Sequence, residues 1–263
     1  MSAVRADVFL VAKGFFASRA RARAAILAGA VKVDGRPLSK AGESVSETSV
    51  IEVTEPPRYV SRGGEKLAGA LDSFGIDVTG KRALDAGAST GGFTDCLLDR
   101  GAREVVAIDV GYGQFAWKLR NDPRVSLLER TNIRTVTADG IGGLCDLAVA
   151  DLSFISLRLV LAGIAGLLES GAPMVVLFKP QFEAGKGRVG KGGIVREPAM
   201  HIELLGDFVR WAEGEGLGPL ALTVSAPRGA DGNVEFFFHL ATGAPRMVDD
   251  ARIVSVVESA HEV

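Results

Sequence analysis

Four side chains in this sequence have the types and positions to hold a hydroxyl group and handle its proton. Asp151, in ADLSF, and Lys179, in LFKPQFE, end two otherwise apolar runs. Strand ends on that edge of an open α/β sheet surround the crevice where ligands bind. Glu235 lies in GNVEFF at the start of the last apolar run, and Lys66 stands at the start of the helical segment KLAGALDSF. Two lysines and two carboxylates in one crevice can orient a weak nucleophile and relieve it of its proton. A structural salt bridge between Asp151 and Lys179 is the plain alternative, and residue types alone do not choose between them.

The second chemical feature is residues 85–92, DAGASTGG, between a short strand (82–87) and a helix (93–100). Gly87, Gly91 and Gly92 remove Cβ atoms, so the chain can turn tightly and a ligand can approach the main chain. An ordinary tight turn also fits. The spacing is not G-x-G-x-x-G, since Ser89 stands where a second glycine would, and Asp85 would repel a pyrophosphate. An acid followed by such a loop is similar to S-adenosylmethionine-dependent methyltransferases. There Asp85 would accept from the ammonium of an amino-acid moiety, directly or through water, while loop N–H groups meet its carboxylate. Asp109, about twenty residues beyond the first glycine, ends the second strand, where a carboxylate binds the hydroxyls of an adenosine ribose. Thr131 and Asn132 at the end of the third strand are placed to flank the adenine.

The elements that must position these groups alternate from residue 82 onward. Strands are read at 82–87, 104–110, 125–131, 146–152, 172–178, 220–226 and 234–242, with helices at 93–100, 113–120, 156–169, 199–213 and 248–262. Continuous apolar strands joined by helices indicate a parallel sheet covered on both faces. The connection from Arg228 to Gly232 is too short for a helical crossover, so the last two strands must be antiparallel.

The first part of the chain is different in kind. Residues 1–42 carry eight Lys/Arg against Asp7 and Asp34, a net charge of +6 hidden within an overall −2. A helix is read over 5–16, with Val8, Leu10, Val11 and Phe15 on one stripe and Gly14 at its end. Ser18 caps a second helix that stops at Gly29 and has Ala22, Ile26 and Ala30 on its small apolar side. A hairpin turning at Asp34-Gly35 follows. Pro56-Pro57 break the chain, 58–64 reads as a linker, and a helix covers 65–74.

A hydrophobic fraction of 47% with 24% charged residues describes a chain that buries a proper core. The longest uncharged apolar run, Leu159–Leu168, is well short of the roughly 18 residues of a spanning helix. No cleavage site follows the N-terminal apolar patch, so a cytoplasmic location without membrane association is expected. Cys96 and Cys145 stand apart, as core fillers. Neither a disulfide framework nor a metal cluster is expected.

Residues 4–54 resemble the S4 RNA-binding domain, in R-x-D-x-x-L, S-R-A-x-A and I-x-x-G-x-V-x-V-D-G. Lys66, Asp151, Lys179 and Glu235 occur in the order and contexts of the Lys-Asp-Lys-Glu tetrad of FtsJ-like ribose 2′-O-methyltransferases. With DAGASTGGFT, DVGYGQ, RTN, ADLSFIS, KPQFE and GNVEFF, the chain from about 4 to 242 resembles the TlyA family of bacterial rRNA (cytidine-2′-O)-methyltransferases, also known as haemolysins. The resemblance implies a Rossmann-like class I methyltransferase sheet with an antiparallel last strand, preceded by a small α+β S4-type domain. The expected division is 1–57 for the S4-like domain, 58–64 for the linker and 65–263 for the methyltransferase domain.

It further implies S-adenosyl-L-methionine as cofactor, held by Asp85, Gly87, Ala88, Ser89, Gly91, Gly92, Phe93, Asp109, Val110, Asn132 and Asp151. The implied partner is ribosomal RNA or a ribosomal subunit, with neither DNA nor membrane bound. Arg5, Arg19, Arg21, Arg23, Lys32, Arg62, Lys186, Arg188 and Lys191 are the expected RNA contacts, the lysines and Arg188 of 183–196 forming a basic lid. Lys179 is the expected group that orients or deprotonates the 2′-OH, Asp151 holds it, and Glu235 orients Lys66. Which member of the coupled group takes the proton stays open, as does the choice between 16S and 23S rRNA. A lytic protein and a non-catalytic RNA-binding assembly factor are the competing classes.

Overall fold

The computed structural model describes residues 3–27, 29–54, 58–185, 188–190, 193–229 and 232–262. The chain divides into two compact units, Met1–Arg58 and Tyr59–Val263.

In the first unit, β1 (Ala3–Arg5) leads directly into α1 (Ala6–Ala12), and α2 is Arg19–Leu27. The strands β2 (Val31–Val33), β3 (Arg36–Pro37), β4 (Ser44–Ser46) and β5 (Ile51–Val53) follow. β1 pairs with β4 and β2 lies between β3 and β5, all antiparallel. Asp34 (φ 50°) and Gly35 (φ 77°) form the expected left-handed hairpin turn. Helix α1 is shorter than 5–16 because Gly14 (φ 79°) turns the chain, and its buried face is Ala6, Asp7, Phe9 and Leu10, so of the expected stripe Leu10 is buried while Val8 and Val11 are half-buried and Phe15 is exposed. Ser18 Oγ accepts from Arg21 N at 3.3 Å, and Ala22, Ala25 and Ile26 of α2 complete the small core.

The second unit opens with α3 (Arg62–Phe74), so residues 62–64 form the first turn of a helix and are not linker. Tyr59 is buried, and Val60 N donates to Asp95 at 2.8 Å, which anchors the entry to that helix. There follow β6 (Arg82–Ala86), α4 (Gly92–Asp99), β7 (Glu104–Ile108), α5 (Trp117–Arg120), β8 (Val125–Leu128), β9 (Leu147–Ala150), α6 (Leu161–Ala165), β10 (Pro173–Phe178), α7 (Pro180–Glu183), α8 (Pro198–Gly214), β11 (Leu217–Val224), β12 (Phe236–Thr242) and α9 (Asp250–His261). They build a seven-stranded sheet in the order β11-β12-β10-β9-β6-β7-β8. Neighbours from β10 to β8 are parallel, and β12 runs antiparallel to both β10 and β11. The reversal expected from the short 228–232 connection is therefore present.

Alternate residues of the central strands enter different cores, as the two-residue period of a strand requires. Leu84, Ala86, Val106, Ala148 and Val176 pack beneath α6, α8 and α9, while Ala83, Val105, Val149, Val175 and Phe237 pack beneath α3 and α4. Both cysteines are buried fillers. Two expected helices contract. Residues 113–120 become α5 alone because Gly113 (φ 74°) is turned out of the helix and donates its N–H to Glu129 at 2.7 Å. Residues 156–169 become a 3-10 turn at Leu157–Leu159 followed by α6, which gives way to a parallel bridge between Leu168 and Cys145.

Gly87 has φ 86°, and a Cβ there would strike the main-chain carbonyl oxygen of Asp151. The glycine lets the ends of β6 and β9 converge. Gly87→Ala should lower the unfolding free energy by more than about 1 kcal/mol through left-handed strain and this collision. Denaturant titration of the two proteins measures the difference.

Candidate active site

Two adjoining cavities open where the carboxyl ends of β6, β7 and β9 meet. The larger, about 500 Å³, is lined by Asp109, Val110, Gln114, Thr131, Asn132, Leu152 and Phe154, among others. The smaller, about 270 Å³, is lined by Ser61, Arg62, Gly63, Lys66, Ala88, Thr90, Gly92 and Phe93. Gly87, Ser89 and Asp151 belong to both walls. Asp109 is fixed by two main-chain donors, Ser89 N at 2.7 Å and Gly111 N at 2.6 Å. Each carboxylate oxygen keeps lone-pair capacity for a further donor. Ser89 reaches Asp109 from a left-handed backbone (φ 48°), a conformation that marks a constrained loop.

The four proton-handling candidates form two ion pairs. Lys66 Nζ lies 2.6 Å from Glu235 Oε2, and both side chains are buried. Lys179 Nζ lies 2.6 Å from Asp151 Oδ1 and donates to Ser153 Oγ at 3.0 Å. The first pair joins residues at opposite ends of the unit, α3 and the turn into β12. It is possible because β12 enters the sheet beside β10. Gly229 completes the fit, since a Cβ at that position would strike Glu235 Oε1. Lys66 and Asp151, one member of each pair, line the same cavity.

Several expected contacts sit elsewhere. Asp85 is completely buried and lines neither cavity. Its Oδ2 accepts from Thr94 Oγ1 of α4 at 2.6 Å, while Oδ1 is a buried oxygen without a hydrogen-bond partner. Burial, with the Asp151 and Asp109 charges adding to it, pushes its carboxyl up to about 7. Asp85 thus stands behind the loop wall rather than in direct reach of the cavity. Gly91 (φ 94°) also lies behind it, with Leu119 and Phe115 where a Cβ would project. A Cβ at Gly92 would strike Ser61 Oγ, so both glycines make room for neighbouring protein atoms, and Gly92 also lines the smaller cavity. Ala88 and Phe93 are buried but line the smaller cavity, and exposed Val110 lines the larger.

Arg62, expected on RNA, lines the smaller cavity from the first turn of α3. Arg188, expected in a free lid, pairs with Glu203 of α8 at 2.6 Å. Gly193 and Val195 are bound to Asn233, through Asn233 Nδ2 to Gly193 O and Val195 N to Asn233 Oδ1, each at 3.2 Å. Lys186 and Lys191 lie outside the described residues. In the first unit, Arg5, Arg19 and Arg23 all pair with Asp7, Arg21 is exposed, and Lys32 lies 4.0 Å from Glu52 across β2 and β5.

Reading the sequence missed Ser153, Phe154, Glu183 and Asn233. Phe154 is 91% exposed, has φ 65° and packs its ring 5.1 Å from that of Phe182. Glu183 accepts from Ser156 Oγ and Leu157 N, both at 2.7 Å. Together they fasten the loop after Asp151 to helix α7, which follows Lys179. Their presence inside ADLSFIS and KPQFE was the available clue.

A cavity at the strand ends of a seven-stranded sheet with one reversed strand, walled by a ribose-type carboxylate and a tight loop, defines the class I methyltransferase fold. The residues present fit S-adenosylmethionine, with Asp109 for hydroxyls, Ile133, Leu152 and Ile155 for an apolar ring, and Thr90 of the loop, whose other amides are engaged, Gly87 N and Ala88 N with Ile108 O and Ser89 N with Asp109. Residues 59–242 match the FtsJ-like methyltransferase family and residues 4–51 the S4 domain. The chain is 49% identical to the 16S/23S rRNA (cytidine-2′-O)-methyltransferase TlyA of Mycobacterium tuberculosis, covering 97% of this chain and 96% of that protein. It is 40% identical to Hemolysin A of Brachyspira hyodysenteriae, over 90% of this chain and 99% of that one. A solved structure from Streptococcus thermophilus that carries the description hemolysin has 40% identity and a TM-score of 0.77, covering 100% and 97% of the two chains. The chain belongs to the TlyA family. Among the described residues no helix is long and apolar enough to cross a membrane, and no acid, histidine or cysteine cluster could hold a metal ion.

Because the folded-state value of Asp85 is raised, the folded protein binds a proton more tightly than the unfolded chain. The resulting stability is fully present below the unfolded value near 3.8 and is lost as pH rises through about 7. Asp85→Asn should therefore raise the unfolding midpoint of the cofactor-free protein at pH 8, with the gain shrinking towards pH 4. Thermal melts of both proteins across that range give the measurement.

Proposed function

We propose that this protein transfers a methyl group from S-adenosylmethionine to the ribose 2′-OH of a cytidine in ribosomal RNA, of the small subunit, the large subunit or both. The observation that carries the reading is the two lysine–carboxylate pairs Lys179–Asp151 and Lys66–Glu235, each at 2.6 Å, of which Asp151 and Lys66 line the smaller cavity while Lys179 and Glu235 stand behind them. The relatives' substrate, ribosomal RNA cytidine, and the S4 match support RNA as the acceptor. A 2′-OH is the group that distinguishes RNA from DNA.

In this reading Asp109, Val110 and Asn132 hold the nucleoside of the donor, and the 87–90 loop with Arg62 meets its amino-acid part. Arg62 meets the carboxylate of that part, and Asp85, out of direct reach of the ammonium, supports the loop from behind through Thr94. S-adenosylmethionine supplies the electrophilic methyl carried on sulfur. As the new O–C bond forms and the S–C bond breaks, the hydroxyl proton must leave the ribose oxygen. Lys179 aligns that oxygen and, with Asp151 and Ser153, carries the proton away towards solvent. Lys66, anchored by Glu235, holds the ribose on its other side. Arg5, Arg19, Arg21 and Arg23 of the first unit grip RNA phosphates, which gives salt-dependent affinity with little sequence choice.

The hemolysin name borne by relatives motivates a second reading as a lytic protein, tested by dye release from liposomes. Release at the protein concentrations that support methylation would establish it, and intact vesicles would reject it. For the enzymatic reading, Lys179→Ala should reduce labelled methyl transfer to ribosomal subunits by at least about a hundredfold while S-adenosylmethionine still binds by calorimetry. Transfer at the wild-type rate would remove Lys179 and its pair from the mechanism.

A further inference from the structure

The first unit contains a buried carboxylate with an unusual set of partners. Asp7, in the first turn of α1, is fully buried, and three guanidiniums from β1 and α2 converge on it. Arg5 donates from Nε to Oδ1 at 3.1 Å and from Nη2 to Oδ2 at 3.4 Å. Arg19 donates from Nη2 and Nε to Oδ2 at 2.8 and 3.3 Å, and Arg23, one turn further along α2, from Nε to Oδ2 at 2.9 Å. The ladder between β1 and β4 places Arg5 opposite Ser44, and Asp7 N donates to Ala41 O at 3.1 Å. Exposed Gly42 borders the Arg5 guanidinium, since a Cβ there would lie 3.3 Å from Nη1.

A purely structural cluster would hide its charge, and this one does not. The three arginine side chains remain 53%, 51% and 50% exposed. Among the described residues, no second acid pairs with any of them, so three cations share one anion and an excess of positive charge faces solvent. A guanidinium is a planar fork of five N–H donors. Asp7 occupies the Nε and Nη2 edge of Arg5 and of Arg19, which leaves their Nη1 edges directed away from it, and it takes only Nε of Arg23.

We propose that Asp7 is a positioning residue that gathers Arg5, Arg19 and Arg23 into one pre-arranged site for a backbone phosphodiester of RNA. The proposal rests on the reading that the first unit grips RNA, and it adds how the grip is built. Three neighbouring guanidiniums repel one another, and each loses side-chain freedom when it meets a phosphate. A carboxylate beneath them removes both obstacles before RNA arrives. Asp7 thus strengthens binding to a polyanion although its own charge has the wrong sign.

That sign makes the test sharp. Asp7→Asn keeps the side chain's shape and makes the surface more positive, so charge alone predicts tighter binding and a steeper salt dependence. Positioning predicts the opposite, about a tenfold or greater loss of affinity and a shallower slope. Binding of the full chain to a fluorescent RNA hairpin is measured by anisotropy at several salt concentrations, with circular dichroism to verify folding. Equal or tighter binding by folded Asp7→Asn overturns the proposal. An Arg19→Ala/Arg23→Ala double variant that binds RNA as the wild type does would overturn the RNA-grip reading itself. Weakening by that variant with no weakening by Asp7→Asn would reject only the role of Asp7. If Asp7→Asn does not fold, Gly42→Val decides, because its branched side chain crowds the Arg5 guanidinium, 3.3 Å from a Cβ at that position, without changing any charge. Severalfold weaker binding supports the site, and unaltered binding rejects it.

Discussion

The buried ion pair between Lys66 and Glu235 is the constraint on which the second unit depends. A lysine and a glutamate removed from water are tolerable only when each completes the other, and loss of one partner from such a pair costs on the order of 3–5 kcal/mol. The pair is satisfied only if α3 crosses the sheet at the place where β12 begins. β12 begins there only because it is inserted in reverse between β10 and β11. Insertion in that direction also brings the 193–195 segment to Asn233, two residues before Glu235. One electrostatic requirement thereby ties together the first helix, the last strand and the loop that follows the Lys179 strand.

The other pair has a different character. Lys179 and Asp151 lie just past the carboxyl ends of the neighbouring parallel strands β10 and β9, partly open to solvent, and the segments that follow them are joined again by Ser153, by Phe154 against Phe182, and by Glu183 against Ser156. Such repeated attachment fixes lysine geometry at the cavity mouth, as positioning of a reacting oxygen demands. Asp85 contributes at the expense of stability. A carboxyl with one unpartnered oxygen in an apolar interior is an expense that a purely structural position would not retain, which agrees with a role in shaping the loop in front of it.

Much of this was legible from the residues alone. Continuous apolar runs ending in Asp85, Asp109, Asp151 and Lys179 indicated parallel strands with chemistry at one edge, and the short 228–232 connection indicated the reversed strand that carries Glu235. Those features are local or follow from chain length. The shortening of the 113–120 helix depended on Glu129 capturing Gly113 N, a contact across the fold. A further role of the glycines was hidden for a similar reason, since atoms that need the space at Gly87 and Gly92 belong to Asp151 and Ser61. The convergence of Arg5, Arg19 and Arg23 on Asp7 was equally hidden. The spacing of Arg19 and Arg23 along α2 was visible, but Arg5 and the carboxylate beneath all three are brought in by the turn from β1 into α1.

The central claim is that the two lysine–carboxylate pairs, each with one member in the cavity wall, act on a ribose hydroxyl of ribosomal RNA. The most direct measurement is to incubate the purified protein with ribosomal subunits and S-adenosylmethionine labelled in its methyl group, digest the RNA to nucleosides and separate them by chromatography. Label in 2′-O-methylcytidine is the predicted result. Label on a nucleobase, or none in RNA despite measurable cofactor and subunit binding, would contradict the account.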